Sequence, residues 1–320
     1  MIPVLSVQGL KVSFRTDAGM ASVLDDVGLT LERGQVLGVV GESGCGKSTL
    51  IRAIMGILPG AARVNAGQIV FEGENLLVFT ERELNQRIRG SRIGFIPQDP
   101  LLSLNPVFKV GSQLLEIMRD HAPPGTSRAD HIQRLVSLLR RLQVPGPDNA
   151  LERYPHQFSG GQRQRLLIAA ALACSPGLVI ADEPTTALDV TTQHEILLLL
   201  RELVDELDIS LLFVTHDLGV VAALCDTVCV IYAGQTVESG PVEAVLRAPS
   251  HPYTQALLAC HPERSVSFTG IGGTVPSPLR MPTGCRFAPR CGYTEPICAV
   301  ALPIATRRKS GADVRCVHSG

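Results

Sequence analysis

Apolar positions along this chain fall into blocks whose period changes from one stretch to the next. "QVLGVV" at 35–40, "LVIAD" at 178–182 and "ISLLFVT" at 209–215 are short, nearly unbroken apolar runs rich in branched residues, the pattern of buried strands. Elsewhere the spacing is helical. "VGSQLLEIMRDH" at 110–121 and "HIQRLVSLLRRLQV" at 131–144 repeat apolar residues every three or four positions, with "APPGTSRAD" between them as a breaker. In "EILLLLRELVDEL", 195–207, Ile196, Leu199, Leu200, Leu203, Val204 and Leu207 share one helix face, which predicts a core-facing stripe. "CVIYAGQTVES", 229–239, predicts a hairpin turning at Ala233-Gly234. Residues 1–97 read as β-rich followed by an α/β unit, and 101–174 as helical. Beyond Gly240 the pattern loosens. "HPYTQALLACHP" is a short helix, and "FTGIGGTVPSPLRMPTG", 268–284, is Gly/Pro/Ser-rich and reads as an extended linker.

The most apolar run, "LLIAAALACSPGLVIAD" at 166–182, is broken by Ser175, Pro176 and Gly177 and stops at Asp182. A membrane span needs about 20 unbroken apolar residues, so this is a buried helix, a turn and a buried strand. The start of the chain lacks a basic segment followed by an apolar one, so no signal peptide is expected. With 320 residues, 45% apolar and 18% charged, the chain is globular, with room for two domains or for one large domain and an extension. A net charge of −1 provides no global field toward nucleic acid or anionic lipid. The expected compartment is the cytosol, where the nine cysteines are reduced thiols, available to a metal rather than to disulfides.

The most informative chemistry is "GESGCGKS", 41–48, which fits G-x-x-x-x-G-K-[ST] and lies between the strand "QVLGVV" and the amphipathic "STLIRAIMGIL". Strand, glycine-rich loop and helix are the context this phosphate-binding motif requires. Gly41, Gly44 and Gly46, with Ser43, Cys45 and Thr49 around them, let backbone N–H groups converge on phosphate oxygens at a helix N-terminus. Lys47 reaches for the β- and γ-phosphates and Ser48 for Mg²⁺. Cys45 reads as a spacer in the loop and not as a nucleophile. "LVIADEPTTALD", 178–189, ends a strand in two carboxylates: Asp182 suits a Mg²⁺ ligand and Glu183 a residue that polarises an attacking water. Taken alone, two acids after a strand are as well explained by a solvated turn. "HQFSGGQRQRLLIAAALA" opens a helix at Ser159-Gly160-Gly161-Gln162, which by itself is an ordinary N-cap with amides open to an anion. His216, after the strand at 209–215, takes its meaning only from these companions.

In this order the motifs resemble the nucleotide-binding subunit of an ABC transporter over roughly residues 3–260. Phe158-Ser159-Gly160-Gly161-Gln162 is similar to the family signature, with Phe for the commonest Leu. "FIPQD" with Gln98 resembles the Q-loop, "TALD", 186–189, the D-loop, His216 the switch histidine, and Phe14 the adenine-stacking aromatic. "QDPLLSLNPVFKVGSQLLE", "SHPYT" and "GCRFAPRC" resemble the ATPases of di- and oligopeptide importers. The resemblance implies an α/β P-loop NTPase of the ABC type. Its RecA-like core, antiparallel β subdomain and helical subdomain (about 101–174) would occupy 1–260, with a small cysteine-rich extension at 261–320. It also implies ATP and Mg²⁺ as ligands, with Ser48, Gln98 and Asp182 at the ion, Glu183 as base, and Gln98 and His216 as sensors. A second ATPase subunit, self or paralogue, would dock head to tail, so that Ser159–Gln162 of one chain meets the ATP of the other. Two transmembrane permease subunits, and indirectly an extracytoplasmic solute-binding protein, would complete a machine on the cytoplasmic face of the membrane, without nucleic acid. A nickel importer, another solute, or a soluble ABC ATPase of DNA repair or translation are the alternatives. The last typically has tandem ATPase domains, coiled coils or a basic DNA face, and none is evident.

The tail carries Cys285-x5-Cys291-x6-Cys298-x17-Cys316, in a segment with seven Lys/Arg against two Asp/Glu from Arg280 onward. Such Arg-, Gly- and Pro-rich sequence offers too little apolar material to predict a core around buried thiols. Four thiolates suit zinc or an iron–sulfur cluster, since ligand binding can replace a missing core. Paired C-x₂₋₄-C knuckles are absent. The wider gaps suit a bulkier centre, with Arg286, Arg290 and Arg315 expected to offset its charge. The resemblance to peptide-importer ATPases, some with a 4Fe–4S cluster on such a tail, points the same way.

Overall fold

A computed structural model describes residues 2–121, 125–260, 270–300 and 303–318. The chain divides into two compact units, Met1–Val78 with Val214–Gly320, and Phe79–Phe213. The boundary expected at 260/261 adjoins residues 261–269, outside the described residues, as do parts of the breaker at 122–130 and the start of the linker.

In the first unit, strands Leu5–Thr16, Gly19–Leu31, Ala62–Phe71 and Glu74–Asn75 form an antiparallel sheet in which Leu5–Thr16 lies between Gly19–Leu31 and Ala62–Phe71. Val36–Val40, buried at all five positions, pairs in parallel with Thr227–Tyr232, from Leu37 opposite Thr227 to Val40 opposite Val230. A strand covered on both faces has no solvent side, which explains the unbroken apolar run. Thr227–Tyr232 then reverses through Ala233 and Gly234, with φ of 46° and 82°, into Gln235–Pro241. Positive φ at both central residues matches the right-handed strand twist, so the predicted two-residue hairpin forms.

The tail extends this sheet. Asp313–Val314 pairs with Gln235–Pro241, placing Val314 opposite Glu238, and Thr306–Arg307 pairs with Asp313–Val314. The tail also shares the unit's core: Phe287, Ala312 and Val314 are buried with Tyr232, Tyr253, Val237 and Leu258, and Cys285, Cys291 and Cys316 pack against that cluster. This corrects the expectation from composition. The tail lacks enough apolar material for a core of its own, and it borrows the core of the first unit.

In the second unit Ile93–Ile96 and Leu178–Asp182 pair in parallel. Helices Val110–His121, Arg128–Arg141, Gly160–Leu172 and Val190–Leu207 accompany them. Two begin earlier than periodicity suggested because polar residues cap them. Ser127 and Asp130 form a capping box before Arg128, and the Asp189 carboxylate accepts from Thr192 N–H at 3.0 Å before Val190. Of the predicted stripe, Ile196, Leu199, Leu200, Leu203 and Val204 are buried and Leu207 is partly exposed at the helix end. Strand Ser210–Thr215 carries the chain back into the first unit.

Candidate functional site

The phosphate loop connects Val36–Val40 to helix Lys47–Ile54, and its shape depends on contacts that leave no room for side chains at two glycines. A Cβ on Gly41 would collide with the Ile231 carbonyl and the Cys45 thiol. Gly46, at φ 106°, would place one 2.6 Å from Leu24. Gly44 has positive φ and open space beside it, so it is there for the turn alone. Cys45 is buried inward, and burial raises its thiol pKa, in keeping with a spacer. Ser43, Gly44 and Ser48 face solvent. Lys47 is buried, and its ammonium donates to the carbonyls of Gly41 at 2.7 Å and Glu42 at 3.3 Å, so the cation is held within the loop.

Glu42 is fixed from three sides. Its N–H donates to the Tyr253 hydroxyl at 2.9 Å, its carbonyl accepts from Lys47, and its carboxylate takes both arms of Arg290 at 2.8 and 3.1 Å. Arg290 lies 248 positions away, beside Cys291, and also donates to the Tyr232 hydroxyl and the Ile271 and Gly272 carbonyls. The sequence pattern singles out neither Glu42 nor Tyr253, and it assigns Arg290 to the thiolates instead of to the phosphate loop. A contact at this separation leaves no local pattern, and the only available signal was that "SHPYT" and "GCRFAPRC" fell outside the nucleotide motifs. In the same unit Phe14 is half-buried on its strand opposite Ala21 and Ala62, and His216 is exposed just past Thr215.

The second unit brings Gln98 and Glu183 together: Gln98 Nε2 donates to the Glu183 carboxylate at 3.4 Å, and the Thr186 hydroxyl donates to the same oxygen at 3.2 Å. Glu183 has φ 45°, a left-handed conformation rare for a residue with a Cβ. The turn directly after Asp182 thus aims the second carboxylate and holds it by two donors. The Ser159 hydroxyl accepts from Gln162 N–H at 3.3 Å, while Gln162 accepts from Ser159 N–H at 3.0 Å, a reciprocal cap. A Cβ on Gly161 would lie 2.5 Å from the Thr192 methyl and force it to shift, whereas on Gly160 it would make an ordinary contact with Leu188 at 3.9 Å.

In the tail Cys285, Cys291, Cys298 and Cys316 line one small cavity, together with His251 and His318. Burial raises the thiols of Cys285, Cys291 and Cys316. Among the described residues, no three His, Cys, Asp or Glu side chains are close enough to hold a single metal ion. The arginines expected to offset thiolate charge are engaged elsewhere. Arg286 pairs with Asp25 at 3.0 Å, Arg290 with Glu42, and Arg315 with Asp26 at 2.7 Å. His251 is 1% exposed; its Nδ1 accepts from Tyr253 N–H at 3.0 Å, which leaves the ring proton on Nε2. That Nε2 is buried and has no partner among the described residues.

The ABC transporter family profile matches residues 24–186, and that of the oligopeptide/dipeptide transporter C-terminal region matches 237–298. The oligopeptide transport ATP-binding protein OppD of Salmonella typhimurium is 45% identical over 94% of this chain and 89% of its own. A probable peptide ABC transporter ATP-binding protein of Sinorhizobium fredii is 42% identical over 98% and 95%. Among solved structures, the ATP-binding cassette MJ0796, described as a post-hydrolysis dimer bound to ADP and Pi, superimposes with a TM-score of 0.66 at 25% identity, covering 74% of this chain and 98% of that one. CbiO1 of Clostridium perfringens, part of an ABC transporter complex, gives 0.65 at 28% identity over 78% and 92%.

Proposed function

The chain belongs to the ATP-binding proteins of ABC transporters, in the oligopeptide/dipeptide group, and from that premise we propose that it hydrolyses ATP to power import of di- and oligopeptides. The observation that carries the chemistry is Glu183, held by Gln98 and Thr186 at the mouth of the strand that ends in Asp182. Glu183 orients and deprotonates a water for attack on the γ-phosphorus. Lys47 leaves the Gly41 and Glu42 carbonyls for the phosphate oxygens and stabilises charge on the transferring group. Gln98 and His216 sense the γ-phosphate. Mg²⁺, which supplies charge neutralisation across the β- and γ-phosphates, would be held by Ser48 and Asp182 with Gln98. Gly160 and Gly161 present N–H groups at a helix start to the ATP of a second ATPase subunit, and Ser159 and Gln162 hold that start in shape through their reciprocal cap. Phe14 offers a half-exposed ring for the adenine. The coupled motion draws on ATP's preference for the closed dimer.

No described helix is long and apolar enough to cross a membrane, so import requires permease subunits, to which this chain would attach peripherally at the cytoplasmic face. Just after Gln98, Leu101, Leu102, Val107 and Phe108 are 60, 84, 70 and 55% exposed. Apolar side chains gathered beside the loop that senses ATP support docking of a membrane subunit there. A solute-binding protein would act on the permeases from the other side.

For the tail the reading is a 4Fe–4S cluster on Cys285, Cys291, Cys298 and Cys316. Two features support the fit. The four thiols line one cavity, so a single centre could join them. The buried His251 Nε2–H at the cavity wall lacks an acceptor, and a sulfur-rich anion supplies one. When bound, such a cluster would cross-link four points of the tail. Arg286, Arg290 and Arg315, being paired with carboxylates, stay structural beside it.

The function is tested with Glu183→Gln, which preserves shape and removes the base. It should bind ATP with about wild-type affinity while turnover falls by 10² or more, the scale of general-base catalysis. Wild-type turnover in this variant would overturn the assignment.

A further inference from the structure

Two buried arginines of the tail, each a chain neighbour of a cysteine, bind the body of the unit and not the thiols: Arg290 grips the phosphate loop and Arg286 the hairpin that contacts it. Arg290, before Cys291, chelates the Glu42 carboxylate with its side chain 3% exposed. Its guanidinium also lies near the Tyr232 and Phe287 rings, at 5.7 and 5.9 Å from their centroids. Arg286, after Cys285, donates to the Ala233 carbonyl, and the next residue, Gly234, donates its N–H to Cys45 O in the loop at 2.8 Å. The loop is therefore braced against the Ala233-Gly234 hairpin on one side and against Arg290 on the other. Glu42 is the residue through which the second brace acts. Its N–H is taken by Tyr253, its carbonyl shares the Lys47 ammonium, and its side chain has no latitude.

We propose that Arg290 is a positioning residue for ATP: acting through Glu42, it holds the backbone of the phosphate loop in the form that receives phosphate, which makes the cysteine tail part of the nucleotide site. The physical reason is preorganisation. The loop binds phosphate by aligned backbone N–H groups, and alignment costs conformational entropy that must be met at binding unless it has been met in folding. A bidentate Arg–carboxylate pair fixes torsions that a single-point contact would leave free, and here its arginine side chain is buried. Arg290 does not touch the reacting atoms, so its loss weakens ATP binding more than it slows the chemical step.

The inference rests on ATP binding at this loop, and it is tested separately from the Glu183 assignment because binding is measured without turnover. Equilibrium titration of the full-length protein with a fluorescent ATP analogue and Mg²⁺ compares wild type, Arg290→Gln, Glu42→Gln and the double variant. Either single change should raise the dissociation constant about ten-fold, or 1.4 kcal/mol. The double variant should be no weaker than the weaker single, because both remove one interaction. In ATPase assays the KM for ATP should rise in Arg290→Gln by the same factor, with kcat changed less than two-fold. Arg290→Lys keeps the charge and loses the fork, and should fall between wild type and Arg290→Gln; it also serves if Arg290→Gln does not fold. Wild-type affinity in Arg290→Gln, losses that multiply in the double variant, or a fall in kcat with KM unmoved would each overturn the proposal.

Discussion

Truncating Phe287 to alanine separates a tail organised by its own metal centre from a tail built into the ATPase core. Phe287 is 3% exposed, packs edge-on to Tyr232 with ring centroids 5.1 Å apart, and lies 5.4 Å from Tyr253. Removing a buried Phe costs about 3–5 kcal/mol, from lost transfer energy plus the residual cavity. The upper part of that range is expected here. Tyr232 and Tyr253 are themselves fully buried and hydrogen-bonded through their hydroxyls, to Arg290 and to Glu42 N–H, so neither ring is free to close the gap. Each aromatic pair also carries about 0.5–1.5 kcal/mol beyond area burial. The assay is urea unfolding of wild type and Phe287→Ala, both purified anaerobically so that any centre on the cysteines is retained. The midpoint should fall with little change in slope, giving a loss of about 4 kcal/mol. A loss under about 1 kcal/mol would refute the reasoning, because it would mean that the tail's order comes from its own ligands and that the shared aromatic core contributes little.

Two further outcomes are expected. Anaerobically purified protein should contain about four irons and four labile sulfides per chain, lost in Cys291→Ser; colourless anaerobic protein with stoichiometric zinc would overturn the cluster. The acid limb of stability should depend on Asp25. Burial pushes its carboxyl up, but the Lys11 hydrogen bond and the Arg286 and Lys11 charges outweigh this and hold it below the ordinary value of 3.8. A depressed carboxyl contributes stability that is present above its unfolded pKa and lost as pH falls through the folded one. Asp25→Asn should therefore be less stable at neutral pH yet lose less on acidification below pH 3.8; an equally steep acid limb in both proteins would count against the Arg286–Asp25 link.

Much of the nucleotide site was legible along the chain, because its pieces are local. A phosphate loop is set by glycines and one lysine at fixed offsets between a strand and a helix, and "GESGCGKS" contains them all. Asp182 and Glu183 are adjacent, and the Ser159–Gln162 cap spans four residues. Backbone geometry alone relates positions so close together, so each piece could be read locally, while the expected roles of the carboxylates and the cap came from the phosphate loop and the family resemblance beside them. Strand and helix identities followed for the same reason, except at ends such as Ser127 and Asp189, where a cap carried the helix beyond its apolar pattern.

What only the tertiary structure decided involves partners far apart in sequence. Composition counted the tail's arginines as counter-charges for thiolates, whereas folding gave them Asp25, Asp26 and Glu42, up to 289 positions away. Composition likewise found too few apolar residues for a core at 283–316, whereas Phe287 and Val314 complete one begun by Tyr232 and Tyr253. Charge and apolar content state only what a segment must satisfy. The packing of the whole chain chooses which distant group satisfies it, because burial and ion pairing depend on separation in space, which sequence spacing does not set beyond a few residues.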